Sequence, residues 1–202
     1  MVIGTFIMVA TYSLFYIMTA FAQAYSRTPA TLSEAGYPMG LGIPANTFTG
    51  LLLMSAIVFA IFISISGLYA DKIGRRKWLI WTTVSILIFA LCMPLFLRNG
   101  TPTSVFAFLV IGMALMGMTF GPMAALLPEL FPTEVRYSGA SLAYNIASII
   151  GATTTIAAMI SLKINALYGL MGVGIYLAIN AFLTLLALLA SKETKNVDLT
   201  QI

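Results

Sequence analysis

The sequence predicts an all-α membrane protein built as a bundle of six transmembrane helices, and three observations carry that prediction. Of 202 residues, 60% are hydrophobic and 8% charged, against about 45–50% and about 25% in soluble domains. The apolar residues gather into six runs, each long enough to cross a hydrocarbon core of roughly 30 Å at 1.5 Å per helical residue. All sixteen charged side chains, ten basic and six acidic, lie between these runs or at their edges. A charge at the centre of a span would cost about 2.5–3.5 kcal/mol. Lipid offers the backbone no hydrogen-bond partner, so each run is expected to be helical.

The runs lie at about 2–22, 47–70, 78–97, 104–127, 138–160 and 167–190, forming one transmembrane domain over 1–202. The first begins directly after Met1, with no basic region before it and no small-residue cleavage site after it, which argues against a secretory signal peptide. The connection over about 23–46 holds Pro29, Gly36, Pro38, Gly40, Gly42 and Pro44 and is expected to be an irregular external loop. Pro44 and Asn46 announce the second run. The third follows a tight basic turn. Asn99, Gly100 and Pro102 precede the fourth, and Pro128 and Pro132 follow it. The fifth and sixth are separated by a short link carrying Lys163.

If successive runs cross in alternate directions, the charges have a side. One side collects Lys72, Arg75, Arg76, Lys77, Arg136, Lys192 and Lys195, while the other holds Arg27, Arg98 and Lys163. The positive-inside rule then places both termini in the cytoplasm. Much of the net charge of +4 is an orientation signal, and no nucleic-acid partner is implied.

Composition also removes function classes. The chain has no histidine, so Ser-His hydrolysis, Cys-His nucleophiles and His-bound metals are excluded, and with them an intramembrane Ser-His protease. The single cysteine, Cys92, permits neither an internal disulfide nor a multi-cysteine metal site. Neither a cofactor nor an enzyme activity is expected. Paired Asn-Pro-Ala turns of aquaporin type are absent, and Pro132-Thr133-Glu134-Val135-Arg136 only approaches the thrice-repeated motif of mitochondrial carriers.

Three segments name a family. The turn after the second run reads Gly67-Leu68-Tyr69-Ala70-Asp71-Lys72-Ile73-Gly74-Arg75-Arg76-Lys77. Physically it is a basic turn in which Gly74 permits positive φ and Asp71 sits among cations. It resembles the G-x-L-A-D-x-x-G-R-R/K loop of the major facilitator superfamily, with Tyr69 in place of the usual leucine. After the fourth run, Pro128-Glu129-Leu130-Phe131-Pro132 with Arg136 resembles the P-E-x-F-P-x-x-x-R segment of sugar porters and, more closely, of metabolite–proton symporters. Lys192-Glu193-Thr194-Lys195 is similar to their P-E-T-K ending, with lysine replacing proline. The three occur in the family's order and at the expected span boundaries. They cover helices seven to twelve of a twelve-helix fold.

The resemblance implies one half of the major facilitator fold. It implies a multi-pass protein of the bacterial inner membrane, and a secondary active transporter working by alternating access. The solute would be a small polar metabolite (an organic acid, zwitterion or sugar-like compound) held between two pseudo-symmetric halves near the midplane. The partners implied are the lipid bilayer, the solute, and a missing N-terminal half or a second copy. A chain opening directly on a span is what a severed C-terminal half would show. No carboxylate falls inside any of the six runs, so proton coupling through a buried Asp or Glu has no candidate in them. The alternative is a transport-inactive remnant or a membrane fragment that binds helices of a related transporter.

The residues indicate where a solute would meet this half. Thr5, Tyr12, Tyr16, Thr19 and Gln23 share one helical stripe on the first span, and in the resembled family that helix lines the cavity. Thr119 on the fourth span and Ser141, Asn145, Ser148 and Thr155 on the fifth add donors and acceptors. A midspan amide such as Asn145 requires partners, either solute or a neighbouring helix. Packing ladders of small residues run through Gly117 and Gly121 on the fourth span and through Gly139, Ala143, Ala147 and Gly151 on the fifth. Pro122 removes a backbone donor, so a kink is expected there. The third and sixth spans, which include Asn180, are expected to face lipid. Asp71, Gly74, Arg75, Arg76, Glu129, Arg136 and Glu193 form the charged cytoplasmic turns, which in the resembled family hold a gate closed.

Overall fold

The computed structural model describes residues 2–31, 40–98, 100–164 and 169–191, with backbone alone at 154, 155 and 157–164. Six helical stretches make up the bundle: α1 (Val2–Arg27), α2 (Ala45–Ile73), α3 (Arg75–Leu97), α4 (Pro102–Glu129), α5 (Arg136–Ile164) and α6 (Gly169–Ala190). Five of them, α1 to α4 and α6, are long and apolar enough to cross a membrane over the described residues. The described residues contain no strand. All of this is an all-α membrane bundle.

Most helices run past the apolar residues that announce them, because a helix continues to satisfy its backbone where the side chains turn polar. α1 extends to Arg27, and α2 ends only at Gly74, whose φ of 113° lies in a region that side-chain-bearing residues rarely adopt. α4 opens on Thr101, whose side chain accepts from the Ser104 amide at 3.3 Å, followed by Pro102 in the first turn. The connection between α1 and α2 is shorter and more ordered at its ends than an irregular loop over 23–46. Residues 23–27 are helical, and the amides of Leu41 and Ile43 donate to the carbonyls of Tyr25 and Ser26 at 3.2 and 2.8 Å. Leu41 and Ile43 thereby bury their side chains over the end of α1.

One element was not legible as a helix variant. α1 passes through a π turn at Ile17–Phe21, between α-helical segments Val2–Tyr16 and Ala22–Arg27. Such single-turn bulges shift the register of the side chains that follow.

The packing order follows the small residues. α1 lies against α5 and α6; α6 continues onto α3, α3 onto α4, and α4 onto α2. A Cβ on Gly117 would come within 2.6 Å of the Phe59 carbonyl, and one on Gly121 within 2.6 Å of the Ile63 carbonyl, so α2 and α4 meet backbone to backbone. Gly151 admits Tyr12 in the same way, 2.5 Å from its Cβ, and Ala143 and Ala147 are fully buried beside it. Gly139, the first member of that ladder, meets the ring of Phe131 in the preceding turn.

α6 has a buried face as well as an exposed one. Asn180 Nδ2 donates to Ser13 Oγ at 2.9 Å. Thr184 Oγ1 accepts from the Ala10 amide at 3.0 Å and donates to the Phe6 carbonyl at 2.7 Å. This clasp ties α6 to α1, while Ile175, Ile179, Phe182 and Leu186 remain exposed on its outer side. α3 likewise presents Trp81, Val84, Ile88, Leu91 and Leu95 outward, at helical spacing.

Candidate functional site

α1 is the best buried of the spans, and the residues it leaves partly accessible past its first turn include a polar and aromatic set. Tyr12, Tyr16, Thr19 and Gln23 are half-buried along one side, whereas Thr5 is 5% exposed and belongs to the interior. Thr19 lies within the π turn and donates to the Phe15 carbonyl at 2.7 Å. Across from this stripe, α5 presents Ser141 and Asn145 exposed and Ser148 half-buried. The hydroxyls of Tyr16 and Ser148 are 3.3 Å apart and join the two helices. Asn145 Nδ2 donates to the Ser141 carbonyl of its own helix at 2.8 Å. The Thr155 side chain lies outside the described residues.

Thr119 stands apart from this group. It is 1% exposed and donates to the Met116 carbonyl at 2.8 Å within α4. The neighbouring Phe120, not Thr119, is the residue of α4 that faces the α1 stripe. Its ring meets Tyr12 edge-on at 6.3 Å and Phe59 edge-on at 5.7 Å, joining α1, α4 and α2 in a half-buried aromatic patch. Phenylalanines are abundant in this chain, and no feature of the sequence separates these two from the rest.

The charged turns form a second constellation at the end where α2 meets α3. Arg75 reaches both ways: Nε donates to Asp71 Oδ1 at 3.2 Å, and Nη1 donates to Glu129 Oε1. Gly74 makes this possible by reversing the chain immediately before it. Arg76 donates to the carbonyls of Leu188 and Leu189, at 2.7 and 2.8 Å, where α6 runs out of amide donors. One basic turn therefore holds the ends of α2, α4 and α6. Arg136 donates from Nε to the Phe131 carbonyl at 3.3 Å. Glu129 Oε2 and Arg136 Nη2 are buried with no hydrogen-bond partner among the described residues. Glu193 lies outside them.

A bundle with a charged turn of this kind and a polar face on its first and fifth helices can be compared with known proteins. The profile of the family "Sugar (and other) transporter" matches residues 39–202. The chain belongs to that family, within the major facilitator superfamily. Transport, not enzyme chemistry, is the business of this sugar transporter family. A Haemophilus influenzae protein with the provisional name of a metabolite transport protein is 86% identical over 202 residues, all of this chain and 46% of that protein. The inner membrane metabolite transport protein YhjE of Escherichia coli is 52% identical over 200 residues, covering 98% of this chain and 43% of its own length. A proline/betaine transporter of Salmonella typhimurium is 34% identical over 152 residues, 73% of this chain and 29% of that protein. The chain thus spans less than half the length of these relatives. No solved structure matches it. Its fold is one half of the major facilitator fold, in a multi-pass inner membrane protein.

Proposed function

We propose that this chain supplies one half of the solute pathway of a secondary active transporter, a proton-coupled symporter of a small polar metabolite that works by alternating access. The observation that carries the proposal is the accessible face shared by α1 and α5. Tyr12, Tyr16, Thr19 and Gln23 look across at Ser148 and Asn145, over a patch closed by Phe59 and Phe120. Hydroxyls, amides and ring edges suit a neutral or zwitterionic solute of modest size. The proline/betaine transporter among the relatives favours a zwitterion over a sugar or an organic acid.

The second half of the pathway is a further segment or a second copy of this chain. It docks on the exposed faces of α2 and α5, and both termini lie in the cytoplasm. Asp71, Gly74, Arg75, Arg76, Glu129, Arg136 and Glu193 hold the cytoplasmic side closed. The apolar runs of this half contain no carboxylate, so the coupling proton is carried on the other half.

Reconstitution tests this directly. Liposomes containing the chain alone should show no uptake of labelled proline, betaine, sugars or organic acids. Co-production with the remaining segment of the Haemophilus influenzae relative should give uptake driven by a pH gradient and abolished by a protonophore. In that assay Asn145→Ala should raise KM about fivefold to tenfold, the loss of one hydrogen bond, while Asn180→Ala leaves it unchanged. Strong proton-driven uptake by the chain alone would overturn the placement of the coupling group. No uptake of any solute by the complemented pair would overturn the transport reading.

A further inference from the structure

The perimeter of the bundle carries a groove that the solute pathway does not use. It has a volume of about 470 Å³ and runs between α2 and α3, lined by Ile65, Tyr69 and Ile73 on one side and by Lys77, Trp78 and Trp81 on the other, with Met118 of α4 as its floor. Met118 and Phe120 are two residues apart, about 200° around a helix of 3.6 residues per turn. The groove and the aromatic patch at Tyr12 therefore lie on opposite sides of α4. From the groove the exposed apolar edge of α3 continues through Val84, Ile88 and Leu91, so it opens on the surface that the hydrocarbon of the bilayer covers.

Its two ends differ in chemistry. The deep part is mainly apolar, and its two hydroxyls, Thr82 and Ser85, donate back to the carbonyls of Trp78 and Trp81 at 3.0 and 3.1 Å. The mouth, at the α2–α3 turn, is edged by the exposed ammonium of Lys77 within a run of four basic residues at 72 and 75–77. The aromatic walls are held in place: Tyr69 stacks on Trp78 at 5.8 Å and 18°, and the Trp78 indole N–H is bonded inward to Met118. An aromatic pair at the level of the headgroups, an apolar slot below it and a cation at the rim match a phospholipid from end to end.

We propose that this groove binds an anionic phospholipid, one acyl chain lying against Ile65 and Trp81 and the phosphate held by Lys77. Charge selects the lipid class. A zwitterionic headgroup brings its own ammonium to the same rim and gains less from Lys77. Binding depends on the membrane placement of the chain and is independent of any transport activity.

The chain offers a reporter for this site, because its only two tryptophans are Trp78 and Trp81. The full chain is reconstituted in vesicles of phosphatidylcholine holding a small fraction of brominated lipid, either phosphatidylglycerol or phosphatidylcholine. Tryptophan quenching should rise about fivefold more steeply with brominated phosphatidylglycerol, the factor expected from one lysine beside an anionic surface. Lys77→Gln should reduce that preference to near unity, and Arg27→Gln, at the opposite end of the bundle, should leave it intact. Equal quenching by the two lipids overturns the proposal, as does a preference that survives Lys77→Gln. Protection of the tryptophans from both lipids also overturns it, by showing that protein covers the groove.

Discussion

The indole Nε1 of Trp78 donates to the carbonyl of Met118 at 2.9 Å, and Met118 stands four residues before Pro122. Proline has no N–H, so Met118 is the one carbonyl in this part of α4 that its own helix leaves unbonded. A side chain from α3 closes the vacancy. The proline is tolerated in a membrane helix because a neighbour satisfies the group it frees.

That pairing predicts a coupling between distant positions. Trp78→Phe should destabilise the chain by about 1–3 kcal/mol, the range for a buried acceptor left without a partner. In a Pro122→Ala background the backbone N–H returns and the same substitution should cost well under half as much. Unfolding in detergent for the four members of the cycle measures the difference. Additive losses would show that the indole contributes packing only.

Close approach of α2 and α4 gives a second expectation. Gly117→Ala and Gly121→Ala put a Cβ against backbone atoms of α2, and each should lower stability by about 1–3 kcal/mol. Gly50→Ala has nothing within 4 Å. It should be neutral or gain about 0.5–1 kcal/mol from the lower backbone entropy of the unfolded chain. Thermal unfolding of the three variants in one detergent makes the comparison.

The clasp between α6 and α1 should show a gradation. Thr184→Val removes a hydroxyl that serves both a backbone amide and a backbone carbonyl, and should cost about 1–2 kcal/mol. Ser13→Ala removes the acceptor of the Asn180 amide, and that contact should be worth nearer 0.6 kcal/mol, the average for polar contacts between membrane helices. Chemical unfolding of the two single variants ranks them. A larger loss for Ser13→Ala would reverse the assigned order.

Arg75 joins partners of unequal burial. The Asp71 side chain is 63% exposed and that of Glu129 is 13% exposed. Asp71→Asn should therefore change stability by about 0–1 kcal/mol, and that small effect should fade in high salt. Arg75→Ala should cost about 1.5–3 kcal/mol by leaving Glu129 without its charged donor. In Glu129→Gln the further substitution of Arg75 should cost less. Melting curves at low and high ionic strength separate these cases.

Local chemistry made a large part of this molecule legible. The helices follow from runs of apolar side chains that lipid tolerates and charges that it does not. The turn at Gly74 was visible from its neighbours, since a reversal needs a residue free to take positive φ. The stripe of Tyr12, Tyr16, Thr19 and Gln23 could be drawn from helical spacing, and the π turn at 17–21 leaves all four half-buried. Thr119 shows the limit of such reading. Its hydroxyl suits a cavity, but the side of α4 it occupies is settled by which neighbours α4 meets, and those neighbours bury it.

By itself, then, the sequence determined the solvent, the helices, the family and the charged turns, because each depends on composition or on residues close together in the chain. Only the tertiary structure decided who meets whom. It gave Arg75 to Glu129, Thr184 to the backbone of α1, Phe120 to Tyr12 and Trp78 to the carbonyl freed by Pro122. Their partners lie 54, 178, 108 and 40 residues away. Helical periodicity sets a residue's angle on its own axis and carries no information about the rotation of another helix. That rotation is set by how the small residues of α2, α4, α5 and α1 let the backbones come together.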